Sequence, residues 1–272
     1  MKLLATVTAA AAFAVGGCAV PAAMSTPVST PTTLSSDTVS ATQTATSPSG
    51  VVYGWAWSDG QGHLRIVPKA ESFVKQSSGF TGYRLKDVPG AEEVRLDYGA
   101  ATFGRVTVEC GLKETEGNVA LDAKGLGRTA CTPADLTDGL ERGPVALRAE
   151  YRTGKATRIN EILVSDWPDL RTATGTIQRV NDTTVLLSTG GKQVKLGYSF
   201  ATAFYRTTAG CGDGWLTGRP VNADKDGLGK KQCSADDLTA ALAKLHDPVR
   251  VKVDYTPGVD SLEQVWEVFG DA

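Results

Sequence analysis

The most informative stretch of this chain reads Cys110, Gly125-Leu126-Gly127, Cys131-Thr132, Asp135-Leu136-Thr137, Leu140, Pro144-Val145, Tyr151 and Gly154. The same order returns as Cys211, Gly227-Leu228-Gly229, Cys233-Ser234, Asp237-Leu238-Thr239, Leu242, Pro248-Val249, Tyr255 and Gly258. A self-match with nearly constant spacing indicates duplicated structural units. The 272-residue chain therefore predicts two units of about 100 residues, each large enough to bury its own core.

Each unit predicts the same series of secondary-structure elements. In the first, strands at 52–57, 63–67 and 94–98 precede a helix at about 135–142, and two alternating strands follow from 145 to 164. The second unit repeats the series from 176, with a helix at about 235–246 and a last strand ending near Val268. Thr132 and Ser234 are predicted N-caps, because Asp135 and Asp237 follow three residues later. The long link at 68–91, which the second unit lacks, is the largest difference between the copies.

The order strand-strand-strand-helix-strand-strand is that of OB-type small barrels. Residues Leu140, Gly143, Val145, Tyr151, Gly154, Ile162 and Val164 also resemble the repeat domains of unknown function found in bacterial secreted proteins. That resemblance implies a fold and a compartment but no chemistry. The predicted fold is therefore mainly β with short helices, in two tandem OB-like barrels.

The N-terminus has the form of a targeting signal. Lys2 supplies a positive charge, and residues 3–15 are apolar but too short to span a membrane. The sequence Val15-Gly16-Gly17-Cys18 that follows resembles the lipobox of bacterial lipoproteins, which implies cleavage before Cys18 and lipidation of its thiol. An ordinary secretory signal with an incidental cysteine is the alternative.

A Ser/Thr/Pro-rich segment separates this signal from the globular part. Asp37 is its sole charged residue, and its composition predicts a disordered tether. The expected organisation is a signal peptide at 1–17, lipidated Cys18 and a tether at 18–50, a first barrel at 51–170 and a second barrel at 171–272. The predicted location is extracytoplasmic, with the lipid as the contact to the membrane.

The remaining cysteines predict two disulfides. Cys110 and Cys131 are separated by 21 residues, and Cys211 and Cys233 by 22. Of the three ways to pair four cysteines, the within-unit pairing is the one that respects the duplication. A zinc site is disfavoured, because the chain has 2 histidines and no CxxC motif.

Two features are candidates for ligand binding. Asn222, Asp224 and Asp226 before Gly227 resemble the opening of a calcium loop, although the twelfth position holds a cysteine instead of glutamate. The alternative is a polar loop closed by the disulfide.

The second feature is aromatic. Tyr53, Trp55 and Trp57 alternate along the first strand, and Ile177 in the second unit matches Ala56, which predicts that Ala56 points inward. The three rings, with Phe80 and Tyr83 of the 68–91 insertion, could bind a sugar or a partner protein. Packing against the insertion or the second unit is the favoured alternative, because exposed aromatic patches are rare in monomers.

No catalytic motif accompanies these features. The sequence lacks GxSxG, HExxH and a P-loop, and a net charge of -2 gives no basic face for nucleic acid. No cofactor is expected. The leading hypothesis is a membrane-anchored binding or structural module with an envelope protein or glycan as partner. A carboxylate hydrolase of cell-wall glycan and a calcium-dependent adhesion module are the alternatives.

Overall fold

The computed structural model describes residues 49–215 and 220–269. The predicted signal peptide, Cys18 and the tether up to residue 48 lie outside these residues. Within them, neither helix has the length and apolar character needed to cross a membrane.

The first repeat contains nine strands and one helix. Their bounds are β1 (Ser49–Ser58), β2 (His63–Ile66), β3 (Lys69–Lys75), β4 (Thr81–Asp87), β5 (Val94–Asp97), β6 (Thr102–Arg105), β7 (Thr129–Cys131), α1 (Pro133–Arg142), β8 (Val145–Arg152) and β9 (Lys155–Glu161). The second repeat has seven described strands and one helix. They are β10 (Arg171–Asn181), β11 (Thr184–Thr189), β12 (Lys192–Gly197), β13 (Ala203–Arg206), β14 (Lys231–Cys233), α2 (Ala235–Ala243), β15 (Val249–Thr256) and β16 (Ser261–Glu267).

Each repeat closes its own sheet into a small barrel. The first sheet runs β5-β2-β1-β8-β9-β6-β7, and β5 also pairs with β9 in parallel at Asp97 and Lys155. The second runs β12-β11-β10-β15-β16-β13-β14, and Gly197 and Ser261 make the equivalent closure. The five predicted strands of each repeat thus follow the OB-type order, and the predicted fold class is confirmed.

The structure adds strands that the sequence did not predict. The 68–91 insertion forms a hairpin of β3 and β4. β6 and β13 are four residues long and pair in parallel with β9 and β16, which lie more than fifty residues further along the chain. Strands this short carry too little alternation to be recognised without their partners.

Both helices begin at the predicted caps. Thr132 Oγ1 accepts from Asp135 N at 3.3 Å, and Asp135 Oδ2 accepts from Thr132 N at 2.7 Å, which is a capping box. Ser234 and Asp237 repeat this arrangement in α2. The Tyr98 hydroxyl lies 3.0 Å from Thr137 Oγ1 and joins α1 to its barrel, as Tyr198 and Thr239 do for α2 at 2.9 Å.

The inward faces of the strands fill each barrel with apolar side chains. Buried members of the first core include Ala56, Leu64, Leu96, Leu147, Ile159 and Leu136. Their counterparts in the second core include Ile177, Val185, Leu196, Val251, Val265 and Leu238. The predicted inward orientation of Ala56 is confirmed, since Ala56 has no exposed surface.

Two disulfides connect the cysteines as predicted, Cys110 with Cys131 and Cys211 with Cys233. Each joins the loop before the helix to the strand that leads into it. Disulfides form and persist in oxidising compartments, so the pairs indicate a location outside the reducing cytoplasm.

The two barrels pack against each other at a polar junction built around Trp57. The indole Nε1 donates to Val259 O at 2.9 Å, and the Arg65 guanidinium lies 5.7 Å from the centre of a Trp57 ring. Lys195 Nζ donates to Glu93 Oε1 at 3.0 Å, and Thr183 Oγ1 donates to Ser58 O at 3.2 Å. These contacts join residues of both repeats in one compact unit.

Candidate functional site

The aromatic side chains of β1 point away from the barrel core but do not form one exposed surface. Each is covered by a different part of the protein. The Tyr53 ring lies 5.3 Å from that of Tyr83 on β4, Trp55 packs against Trp167, and Trp57 is buried at the junction with the second barrel. The three rings therefore do not form a single exposed platform, and they pack instead against the insertion, Trp167 and the second repeat, in line with the favoured alternative.

The two predicted aromatic residues of the insertion also separate. Tyr83 is buried, its hydroxyl donates to Lys124 O at 2.6 Å, and burial raises its pKa above the usual range. Phe80 instead lines a cavity of about 370 Å³ with Val119, Leu121 and Leu163. Tyr83 thus anchors the hairpin to the barrel, while Phe80 belongs to a different surface.

A groove of about 520 Å³ opens beside Trp55 and is the strongest candidate for a binding site. Three segments form it: the disulfide loop from Arg105 to Thr115, the turn between α1 and β8, and the chain that continues from β9 to Trp167. Its apolar lining consists of Trp55, Val106, Pro144, Val145, Ala146, Ile162, Leu163, Val164 and Trp167. We refer to it as the tryptophan groove.

Trp167 is the feature that sequence reasoning missed. Its ring meets Trp55 edge to face with centroids 4.8 Å apart, yet 59% of the residue remains exposed. A large apolar ring held at the rim of a cavity is unusual, because most tryptophans are well covered. The sequence signal was an isolated tryptophan in a polar link, which does not by itself indicate proximity to Trp55.

The insertion hairpin holds Trp167 in place. Tyr83 N donates to Leu163 O at 2.7 Å, and Ser165 N donates to Tyr83 O at 2.8 Å, so β4 pairs with the chain that leads to Trp167. Arg84 forms an ion pair with Asp166, the residue before the ring. The largest sequence difference between the repeats therefore shapes the rim of the groove.

A buried ion pair supports the groove from behind. Arg105 Nε donates to Glu161 Oε1 at 3.1 Å, and Val106 N donates to Glu161 Oε2 at 2.9 Å. Arg105 also donates to the carbonyls of Cys110 and Leu112, which fixes the disulfide loop. Glu161 therefore holds Arg105 and Val106, and with them the start of the disulfide loop, against the end of β9.

The second repeat contains an equivalent ion pair between Arg206 and Glu267, whose side chains have no exposed surface. Arg206 donates to Cys211 O and Asp213 O, at 2.7 and 2.6 Å. The sequence did contain this signal, since Arg105 and Arg206 each stand five residues before the first cysteine of their repeat. The duplication of the pair indicates a structural role shared by both barrels.

The wall residues of the groove are not duplicated. Trp55 pairs with Ala146, and at the matching register of the second barrel Thr176 pairs with Arg250. The aromatic wall and the small residue opposite it are thus replaced by a hydroxyl and a long cation. The tryptophan groove is a property of the first repeat, built on a framework that both repeats share.

The candidate calcium ligands are engaged within their own loop. Asp224 Oδ1 accepts from Asp226 N and Leu228 N, both at 2.8 Å, and Asn222 Nδ2 donates to Thr208 O at 2.7 Å. Asp122 makes the equivalent bonds in the first repeat, to Lys124 N and Leu126 N. This geometry is an aspartate turn that shapes both loops, and it gives the side chains of Asp224 and Asn222 a structural explanation without an ion, whereas Asp226 takes part through its backbone N–H.

The acidic residues near the groove also bear on the hydrolase alternative. Glu114 and Glu161 both line the cavity, but Glu161 is held by Arg105. Burial raises the pKa of a different acid, Asp260, with Lys69 and Arg65 opposing the shift. Asp260 lies at the junction beside these cations, where the charge of Asp87 adds to the effect of burial, and it is not part of the groove lining.

No protein-family model, curated protein or solved structure matches this chain.

Proposed function

We propose that this protein is an extracytoplasmic binding module, anchored by a lipid on Cys18, and that the tryptophan groove is its ligand site. The observation that carries the proposal is the exposed Trp167 ring above a 520 Å³ cavity. Concave sites with aromatic walls and a few polar groups at the rim are typical of ligand binding. The two disulfides support the compartment in which such a module would act.

A glycan of the envelope is the ligand class that fits this surface. A sugar ring has an apolar face that can lie on an indole, and hydroxyl groups around its edge that need polar partners. Trp167 offers the indole, and Lys113, Glu114 and Thr115 offer polar atoms around the opening. The groove is open at the surface, which allows a long chain to pass through it.

The test is binding of the full chain to immobilised polysaccharides purified from the cell envelope. Trp167→Ala should reduce binding at least tenfold and lower the unfolding midpoint only slightly, because 59% of the residue is exposed and the packing it loses is its edge-to-face contact with Trp55. Phe200→Ala is the matched control, since Phe200 is 70% exposed and does not line the groove. Equal binding by the Trp167→Ala variant and the parent protein would refute the proposed site.

The lipid anchor has an independent test. Mass spectrometry of the mature N-terminus should find an acylated Cys18, and Cys18→Ser should abolish both the acyl groups and cleavage at this position. Two or more acyl chains give stable attachment, since each buried CH₂ contributes about 0.8 kcal/mol. An unmodified chain starting at any other residue would contradict the anchor.

A further inference from the structure

Among the charged side chains at the rim of the tryptophan groove that have no partner within the described residues, cations outnumber acids. Lys113 and Arg142 line the groove, and neither makes an ion pair or side-chain hydrogen bond within the described residues. Glu114 is the acid on the same rim. The charge of Arg105 is neutralised by Glu161, so it adds nothing to the balance.

Arg142 has a defined position in the fold. It lies in the last turn of α1, and Gly143 and Pro144 then redirect the chain into β8. A cation in the last turn interacts favourably with the helix carbonyls. Gly143 adopts a φ of +148° and therefore suits a residue without a side chain, which fixes where α1 ends beside the groove. The guanidinium consequently stands beside the cavity on a rigid element.

We propose that the groove selects a glycan whose sugar rings carry carboxylates, an inference that rests on the proposed function of this site. The sugar ring would pack against Trp167, and a ring carboxylate would accept hydrogen bonds from the Arg142 guanidinium. Arginine suits this task because its planar group can bind a carboxylate through two parallel hydrogen bonds. Lys113 supplies a second positive charge near the opening.

The combination of indole and guanidinium is what separates this ligand from its competitors. A neutral glycan would use the ring contact and leave both cations without a partner. An acidic peptide would use the cations but has no flat apolar ring to place on Trp167. The occupant that uses both features is an acidic polysaccharide.

The experiment compares two oligosaccharides that differ in the carboxylate alone. The probes are hexamers of β-1,4-linked glucose and of β-1,4-linked glucuronic acid, titrated into the full chain by calorimetry at low and high salt. The acidic hexamer should bind at least tenfold more tightly, which corresponds to about 1.4 kcal/mol, and salt should weaken its binding alone. Hexaglutamate is the third probe and should bind weakly, because it lacks the ring.

Two variants measure what the guanidinium of Arg142 and the indole of Trp167 each contribute to the affinity. Arg142→Gln should remove the preference for the acidic hexamer, so that the two hexamers bind with similar affinity. Trp167→Ala should weaken both. Arg152→Gln is the matched control, because Arg152 is an exposed arginine of β8 that does not line the groove. Arg142 and Arg152 are not buried, so their variants should match the parent in circular dichroism and in unfolding midpoint. Trp167→Ala also loses the contact with Trp55 and should keep the parent spectrum with a slightly lower midpoint.

The outcomes separate this inference from the function on which it rests. Equal affinities for the two hexamers, both weakened by Trp167→Ala, would overturn the acidic preference and leave the groove as a glycan site. Tight binding of hexaglutamate would show an unselective attraction for anions and would also overturn the inference. Affinities that do not respond to Trp167→Ala, or no binding of either sugar, would overturn both proposals.

Discussion

Replacing Trp57 should separate the two barrels without unfolding either of them. The indole is 3% exposed, and its contacts reach across 202 residues of sequence to Val259. Gly197 of β12 packs so closely against it that a Cβ at this position would overlap the ring. Because Ala56 and Val52 fill the first core from the other face of β1, the loss of Trp57 affects the junction and spares the barrel interior.

The expected loss of stability in each Trp57 variant follows from the contacts that the variant removes. Truncating a buried tryptophan to alanine costs about 3–5 kcal/mol, which includes the lost burial and the space left behind. Trp57→Phe keeps most of the apolar surface but leaves the Val259 carbonyl without its donor, at a cost of about 1–3 kcal/mol. The cation–π contact with Arg65 is lost in the alanine variant, and the three contributions are not additive.

Urea unfolding followed by hydrogen exchange is the appropriate measurement. For Trp57→Ala we expect early exchange at the 257–260 turn and around Gly197, before the cores of the barrels open. Trp266→Ala is the control, since Trp266 packs against Tyr205 and Lys252 within the second barrel. A loss of less than about 1 kcal/mol in Trp57→Ala, with exchange at the turn unchanged, would refute the assignment of this residue as the centre of the junction.

Three further predictions concern the duplicated framework and the junction. Glu267→Gln should lower the free energy of unfolding by about 3–5 kcal/mol because it leaves the Arg206 charge buried and uncompensated. Glu263→Gln, a partly exposed position on the same strand, should cost no more than about 0.5 kcal/mol, and equal losses in denaturant melts would contradict this explanation. Replacing both Cys211 and Cys233 with alanine should cost about 3 kcal/mol in the chain-entropy model, and reduction of the parent protein should cost more because it also opens Cys110–Cys131; an unchanged unfolding midpoint in the double variant would be inconsistent with this contribution. Burial raises the pKa of Asp260, so the folded state keeps this proton to a higher pH than the unfolded chain does. Ionised Asp260 therefore lowers the free energy of unfolding, and this loss of stability is absent below about pH 4, grows as the pH rises to the folded pKa and is constant above it. Asp260→Asn should therefore be more stable than the parent at pH 7, with the difference closing in melts below about pH 4; a difference independent of pH would refute the linkage.

The duplication explains why so much long-range structure could be predicted without coordinates. Four cysteines can pair in three ways, and a sequence without repeats would not distinguish them. The same separation in both copies selected Cys110–Cys131 and Cys211–Cys233, and the structure contains both disulfides. The caps at Thr132 and Ser234 depend on residues three positions away, so local sequence was sufficient for them. The five-strand order followed from alternation and turns, which are also local.

The binding surface could not be predicted in the same way. Tyr53, Trp55 and Trp57 have equivalent positions in the sequence pattern, yet they meet Tyr83, Trp167 and the second barrel respectively. Trp167 follows Trp55 by more than one hundred residues, and the hairpin of β3 and β4 brings it into place through hydrogen bonds to the chain around Leu163. The second repeat has Thr176 in place of Trp55 and a short link in place of the β3–β4 hairpin. Comparing the two repeats therefore could not reveal these contacts.

The sequence by itself therefore determined the barrel order, the helix caps and the disulfides, because each depends on local periodicity or on a spacing that occurs twice. The tertiary structure alone decided which aromatic rings are covered, how the barrels join and where the tryptophan groove opens. The physical reason is that burial of a side chain depends on every segment that packs against it. For Trp57 and Trp55 those segments lie far along the chain and differ between the two repeats.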